Sequence, residues 1–428
     1  MIRHVLAALA ACLLFAAAPA EAKSPLDPLA EQYVKLSLAI GEKEDGYIDA
    51  FYGPAEWQAQ AKATPRDLPS LKAEVASLAL AVKRIKPGWL VADEQRRRVF
   101  LLAQLKAAET RLRMMSGEKL SFEDEAEGLF AVRPVLKPLT AFDPVLKEIE
   151  ALVPGEGPLW QRVDAFNDRF IIPADRLKPV MDAAIAECRK RTMEHIALPA
   201  NERFTLEFVT GKSWSGYNWY KGNATSLIQI NTDLPVRLSR AVDLGCHEGY
   251  PGHHVLNMLL EERLSKARGW VEFTVYPLYS PQSLIAEGSA NYGIELAFPG
   301  DERRAFEVGT LYPLAGLDSK DAARYDALLE AQKALAGARF TIASAYLSGR
   351  ITKDEAIALT QRYGLVSAKR AAQTVAFSEQ YRSYVINYGL GLDMVRAYVE
   401  GAGPDQAARW KAMEWVISGP TLPSDLLP

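Results

Sequence analysis

Apolar residues recur at three- and four-residue intervals through most of this chain, with charged residues filling the positions between. LKAEVASLALAVKRI (71–85) and EQRRRVFLLAQLKAAETRLRMM (94–115) carry that spacing and predict helices. The stretch 173–197 opens on Pro173 and Asp175, a common helix entry, and keeps the same period. The segments 321–349 and 352–364 are periodic again, with Gly349 and Gly364 at their exits. One region departs from the pattern. RFTLEFVTGKSWSGYNWYKGNATSLIQINTDLP (203–235) is rich in Thr, Tyr, Trp, Phe, Val and Ile and is punctuated by Gly and Asn, which predicts two or three short strands. The expected architecture is therefore mainly α (α+β): long helices around a core, with a small antiparallel sheet placed just ahead of the segment that carries the chemistry.

The N-terminus reads differently from the rest. Arg3 and His4 precede an apolar run, and Ala20-Glu21-Ala22 supplies a small-x-small cleavage site, so residues 1–22 are expected to be a secretory signal. LAAC, ending at Cys12, offers a competing lipoprotein box, but the apolar stretch before it is short and the cleaved signal is the favoured reading. No later run approaches the ~20 apolar residues that cross a bilayer. The expectation is a periplasmic or secreted protein without stable membrane insertion. Residues 23–428 are expected to form a single domain: a helical part to 200, a core from 201 to 300, and a helical part from 301.

Charge narrows the partners. A formal net charge of −3 with no basic tail gives no electrostatic reason to expect nucleic acid. Nothing in the pattern speaks to oligomeric state. After signal cleavage only Cys188 and Cys246 remain; they could pair, while Cys246 taken alone reads first as core filling and second as a soft metal ligand.

The chemistry concentrates in CHEGYPGHH (246–254), which holds three of the chain's five histidines. Helical spacing runs into it over 234–245 and resumes over 255–267. Two histidines at i and i+4 on a helix grip one zinc, with a glutamate at i+1 beside the metal-activated water. Here Pro251 occupies the i+4 position after His247. Proline lacks an N–H and its ring crowds the carbonyl of His247, and Gly249 and Gly252 loosen the backbone, so the turn must be distorted. If the distortion adds two residues, His253 takes the second place; if it opens further, His254 does. Three imidazoles and a carboxylate in so short a stretch point to metal binding.

A catalytic zinc takes three protein ligands and keeps one open position. The third is expected from SLIAEGSANYGIEL (283–296), a predicted helix with Glu287 near its apolar side, although Glu295, Glu261 and Glu262 compete. Asp243, four residues before His247, reads either as a partner that orients its imidazole or as an ordinary helix charge.

HEGYPGHH resembles the H-E-x-x-P-G-H-H signature of the DUF885 proteins, a bacterial family related to the gluzincin metallopeptidases. Glu287-Gly288-Ser289-Ala290-Asn291-Tyr292 is similar to that family's second signature, and YVINYGLGLDMVRAY (384–398) resembles its C-terminal S-Y-x-x-G segment. Ser289 and Asn387 depart from the family pattern, where tryptophan and serine are usual. The resemblance implies a zincin-like core, a Zn2+ cofactor held by His247, His253 or His254, and Glu287, and a peptide substrate. It implies Glu248 as general base and Tyr388 as oxyanion donor, with Tyr384, Tyr292 and Asn291 as neighbours of the site. Segment 226–232 would lend a strand edge to an extended peptide. Two alternatives stand beside peptide hydrolysis: a zinc hydrolase of an ester or non-peptide amide, and an exported metal-binding scaffold without turnover.

Overall fold

The computed structural model describes residues 24–427. The expected signal segment, Cys12 included, lies outside them. Among the described residues no helix is long and apolar enough to cross a membrane.

The chain is mainly helical, and local chemistry explains several boundaries. Helix Leu68–Arg84 starts where the Asp67 carboxylate accepts from the Ser70 amide at 2.8 Å. Helix Lys353–Gly364 starts on a reciprocal capping box between Thr352 and Glu355. The single stretch expected over 321–349 is two helices, Ala322–Lys333 and Ala336–Leu347. Hydrogen bonds tighten to i−3 at Ala334 and Leu335 between them, and Leu335 turns into the core. That tightening leaves the apolar spacing intact, so the periodicity does not register it.

The Thr- and aromatic-rich region folds into three strands, β2 (Arg203–Val209), β3 (Gly216–Gly222) and β4 (Thr225–Asn231), following β1 (Ile48–Phe51) near the N-terminus. β3 and β4 form the expected antiparallel hairpin. Asn223 and Ala224 both have φ of 53°, the left-handed pair that a two-residue hairpin turn requires. Buried Glu261 supports that turn by accepting from the Asn223 amide at 2.9 Å and the Ala224 amide at 3.3 Å. β2 then pairs with β4 in parallel, giving the order β2-β4-β3. β4 therefore has neighbours on both sides, and the strand edge expected at 226–232 is not free. The edge strands are β2 and β3.

β1 pairs antiparallel with β5 (Val275–Pro277), and the register shifts between Ile48 and Ala50 so that Asp49 sits in a bulge. Beneath these strands, Arg97 is fully buried between Glu272, at 2.6 and 2.9 Å, and Asp27 at 2.7 Å.

Helix Pro281–Ala297 is buried on nearly every face, its polar residues Ser283, Glu287 and Ser289 included. Gly288 lies against Gly391 at the start of helix Leu390–Glu400. A Cβ at Gly288 would stand 2.4 Å from the Gly391 carbonyl, so these two backbones meet only because neither residue has a side chain. That approach carries the segment Arg382–Tyr388 alongside Glu287.

Candidate metal centre

Helix Ser239–Leu244 runs directly into Gly245–Gly249, where the turn widens: the Tyr250 amide donates to the Gly245 carbonyl, five residues back, at 3.4 Å. Tyr250 is extended, a cis peptide joins it to Pro251, and the Gly252 amide folds back onto the Cys246 carbonyl at 3.0 Å. A Cβ on Gly252 would lie 1.8 Å from the His247 carbonyl oxygen, so only glycine fits. Helix His253–Leu260 begins at once. Two residues are thus looped out, and the imidazoles of His247 and His253 face each other, Nε2 to Nε2, at 3.1 Å with their rings at 89°.

Glu287 completes the group. Its Oε2 is 3.2 Å from His247 Nε2 and 3.7 Å from His253 Nε2. Its Oε1 accepts from the Tyr384 hydroxyl at 2.7 Å, whereas the buried Oε2 has no hydrogen-bond partner in the protein. These three residues are the cluster among the described residues whose ligand atoms converge closely enough for one ion. His247 Nδ1 faces Asn291 Oδ1 at 3.1 Å.

The electrostatics follow from burial and contact. Burial pushes the Glu287 carboxyl up, but His247, His253 and Tyr384 together hold it below the ordinary carboxylate range. Burial pulls the His247 imidazole down, yet the Glu287 and Glu248 carboxylates raise it above its usual value. His253, buried and beside His247, falls to about 4.

Glu248 is buried next to this cluster, and its carboxyl is pushed up to about 7, chiefly by burial and then by Glu287. A Cβ on Gly216 of β3 would stand 2.7 Å from Glu248 Oε1, so that glycine leaves the carboxyl its space. Asn218, two residues on, donates from Nδ2 to the Glu248 carbonyl at 2.6 Å. The Tyr388 ring lies 6.5 Å from that of His247, and burial, then Glu287, lift its hydroxyl well above the usual value, so it is a proton-bearing donor.

Several sequence expectations separate here. His254 points away from the cluster: its Nε2 donates to Glu202 at 2.9 Å and its Nδ1 shares a hydrogen bond with the Ser226 hydroxyl at 2.7 Å, fully buried. Asp243 does not orient His247; it pairs with Arg303 at 2.9 Å and Arg240 at 3.2 Å, because those cations flank it on the helix side. Tyr292 is buried on the other side of its helix, near Glu400 and Arg409, and does not line the cleft. Glu295 pairs with Arg396 and Lys333, Glu262 with Lys266, and Glu261 holds the hairpin turn. Cys246 is bonded to Cys188 in a disulfide, so it is neither a free core thiol nor a metal donor, and the bridge ties the turn that carries His247 to helix Leu177–Met193.

A cleft of about 1000 Å³ opens over the cluster. It brings in residues that the motif search passes over. Asp49, aimed by the β1 bulge, is hydrogen-bonded by the Tyr217 hydroxyl and raised to about 7 by burial. Arg339 comes from helix Ala336–Leu347. The available sequence signal for Asp49 is a lone carboxylate in the aromatic run YIDAFY; for Arg339 there is none.

No protein-family model matches the chain, and no curated protein matches it in sequence. Among solved structures, it is similar to the "putative lipoprotein from Colwellia psychrerythraea", with a TM-score of 0.54 and 14% identity over 94% of this chain and 74% of that one. The M32 carboxypeptidase from Deinococcus radiodurans R1 aligns with a TM-score of 0.35 and 12% identity over 91% of this chain and 88% of that one. The first of these likenesses extends along nearly the whole described chain and speaks to its helical fold alone.

Proposed function

We propose that this protein is an exported zinc-dependent peptidase of the type implied by its resemblance to the DUF885 proteins. One observation carries the reading: the unpartnered Oε2 of Glu287 is buried opposite two imidazole nitrogens that face each other. A buried carboxylate oxygen without a donor is costly. Two histidines and a carboxylate are a donor set suited to zinc, and the fit requires no rearrangement of ligand type. His247, His253 and Glu287 would hold the ion.

A zinc ion bound by such donors supplies acidification of a water molecule and polarisation of a carbonyl. The remaining roles belong to the chain. Glu248 accepts the proton of the attacking water and returns it to the departing amine nitrogen. Tyr388 donates a hydrogen bond to the developing oxyanion. Tyr384 occupies Glu287 Oε1 and so keeps Oε2 turned inward. The edge of β3 beside Gly216 offers main-chain groups to an extended peptide.

The test combines metal depletion with a base variant. Chelation should abolish hydrolysis of a mixed peptide library and zinc should restore it. Glu248→Gln should keep the metal while slowing hydrolysis by about 10²–10⁴-fold, the usual weight of a general base. A chain that takes up no metal, or a Glu248→Gln variant with full activity, ends the reading.

A further inference from the structure

We propose that Arg339 binds a carboxylate of the substrate, so that the cleft receives a peptide by its free C-terminal end. The inference rests on the peptidase reading and names the end of the chain that the site recognises.

The guanidinium of Arg339 lies over aromatic rings, 5.1 Å from the centre of Phe377 and 5.8 Å from that of Tyr388. Its Nε is buried without a hydrogen-bond partner, and no carboxylate pairs with it among the described residues. The neighbouring cations behave otherwise. Arg240, Arg303, Lys333 and Arg396 line the same cleft, and each is matched by a carboxylate of the protein; Lys137 is exposed to solvent at the rim.

An arginine cannot shed its proton, so a largely desolvated guanidinium needs an anion or water. Burial works against the charge of Arg339, and only the more distant Tyr388 and Glu287 favour it. Its planar fork matches a carboxylate with two parallel hydrogen bonds, and the aromatic rings behind it fix the plane in which that fork lies. Position then chooses the carboxylate. The Tyr388 ring lies 5.8 Å from the Arg339 guanidinium and 6.5 Å from the His247 ring. The guanidinium and the histidine ring are therefore at most the sum of those two distances apart, a gap covered by no more than about four residues of extended chain at about 3.3–3.6 Å each. The terminal carboxylate of a peptide whose scissile bond lies near its end reaches both places.

Calorimetry on the full mature protein carrying Glu248→Gln, which slows turnover by about 10²–10⁴-fold, provides the test. The probes are two tripeptides of one sequence, one ending in a free acid and the other in an amide, and a third amide whose last side chain is glutamate. The acid should bind at least tenfold more tightly than the amide, and Arg339→Met should erase that preference. Arg339→Lys should restore part of it. Equal affinities for acid and amide in the presence of Arg339, including no binding of either, overturn the proposal without any variant. So does a preference that survives Arg339→Met. If the glutamyl amide matches the free acid, the chain-end assignment falls. The readout is binding, so its failure leaves the hydrolase reading in place. A preserved acid preference in a protein that never cleaves peptides would remove the hydrolase reading instead.

Discussion

Asn291 joins two parts of the site: its Oδ1 faces His247 Nδ1 at 3.1 Å while its Nδ2 donates to the Tyr388 carbonyl at 3.1 Å. With Nδ2 committed to a carbonyl, Oδ1 is the acceptor and Nδ1 of His247 must carry the proton. The lone pair is then on Nε2, the atom that faces His253 and Glu287. Partners that fix a ligand's tautomer typically change metal affinity 10–100-fold. Asn291→Leu should weaken zinc binding by about that factor with an unchanged far-ultraviolet circular dichroism spectrum, while Asn291→Asp should retain most of it. Competition with a chromophoric chelator measures both. Unchanged affinity in Asn291→Leu would remove the orienting role.

The adjacent histidines should separate cleanly under mutation. His253→Ala should lose the metal and keep its fold. His254→Ala should keep the metal and lose stability, by about 3–5 kcal/mol, because it strips a partner from a buried carboxylate. That carboxylate, Glu202, is pushed up by burial, but hydrogen bonds from His254, Tyr250 and Arg189 outweigh burial and bring it down to about 2. A depressed carboxyl stabilises the fold fully above its unfolded value of about 4.3 and loses that contribution as pH falls toward 2. Urea melts between pH 5 and pH 2 should therefore show a steep acid limb in the parent and a shallower one in His254→Ala. Identical limbs would show that Glu202 draws nothing from His254.

The outcome at 253 and 254 also marks how far the sequence could be read. Three histidines and a proline within eight positions announce a metal site with a broken turn, because composition and proline chemistry are local properties. Which histidine returns to His247 depends on how many residues the turn loops out, and that is settled by Gly252 against the His247 carbonyl. The hairpin was legible from Gly and Asn between β-formers, whereas the parallel addition of β2 was not, since a pairing such as Arg203 with Thr225, so far apart in sequence, has no periodic trace. Asp243 shows the opposite failure. Its spacing from His247 is suitable for an orienting contact, but Arg240 and Arg303 are nearer, and the second arrives from 60 residues away.

Two glycines of the motif offer a paired test of the turn. A Cβ at Gly252 would overlap the His247 carbonyl, whereas a Cβ at Gly249 would meet nothing within 4 Å. Gly249→Ala should fold, bind zinc and change stability by no more than about 1 kcal/mol. Gly252→Ala forces backbone displacement at a ligand, so it should lose zinc affinity by more than tenfold or fail to accumulate as soluble protein. Equal behaviour of the two variants would contradict the close approach on which the convergence of His247 and His253 depends.

The disulfide places a covalent link one residue from His247. Cys188 and Cys246 are separated by 58 positions, and closing a loop of that length removes enough denatured-state entropy to stabilise the fold by about 4 kcal/mol on the chain-entropy model. The bridge joins helix Leu177–Met193 to the turn Gly245–Gly249, but it is not what aims the donors. Gly252 sets the turn from the other side, and Asn291 holds the imidazole. Replacing both cysteines by alanine should accordingly lower the urea midpoint in proportion to a loss of that size while leaving zinc affinity within about tenfold of the parent, since the remaining contacts still orient His247. If instead the double variant keeps its midpoint but releases zinc, the bridge acts on the site rather than on the chain, and the alignment of His247 with His253 depends on the covalent tie.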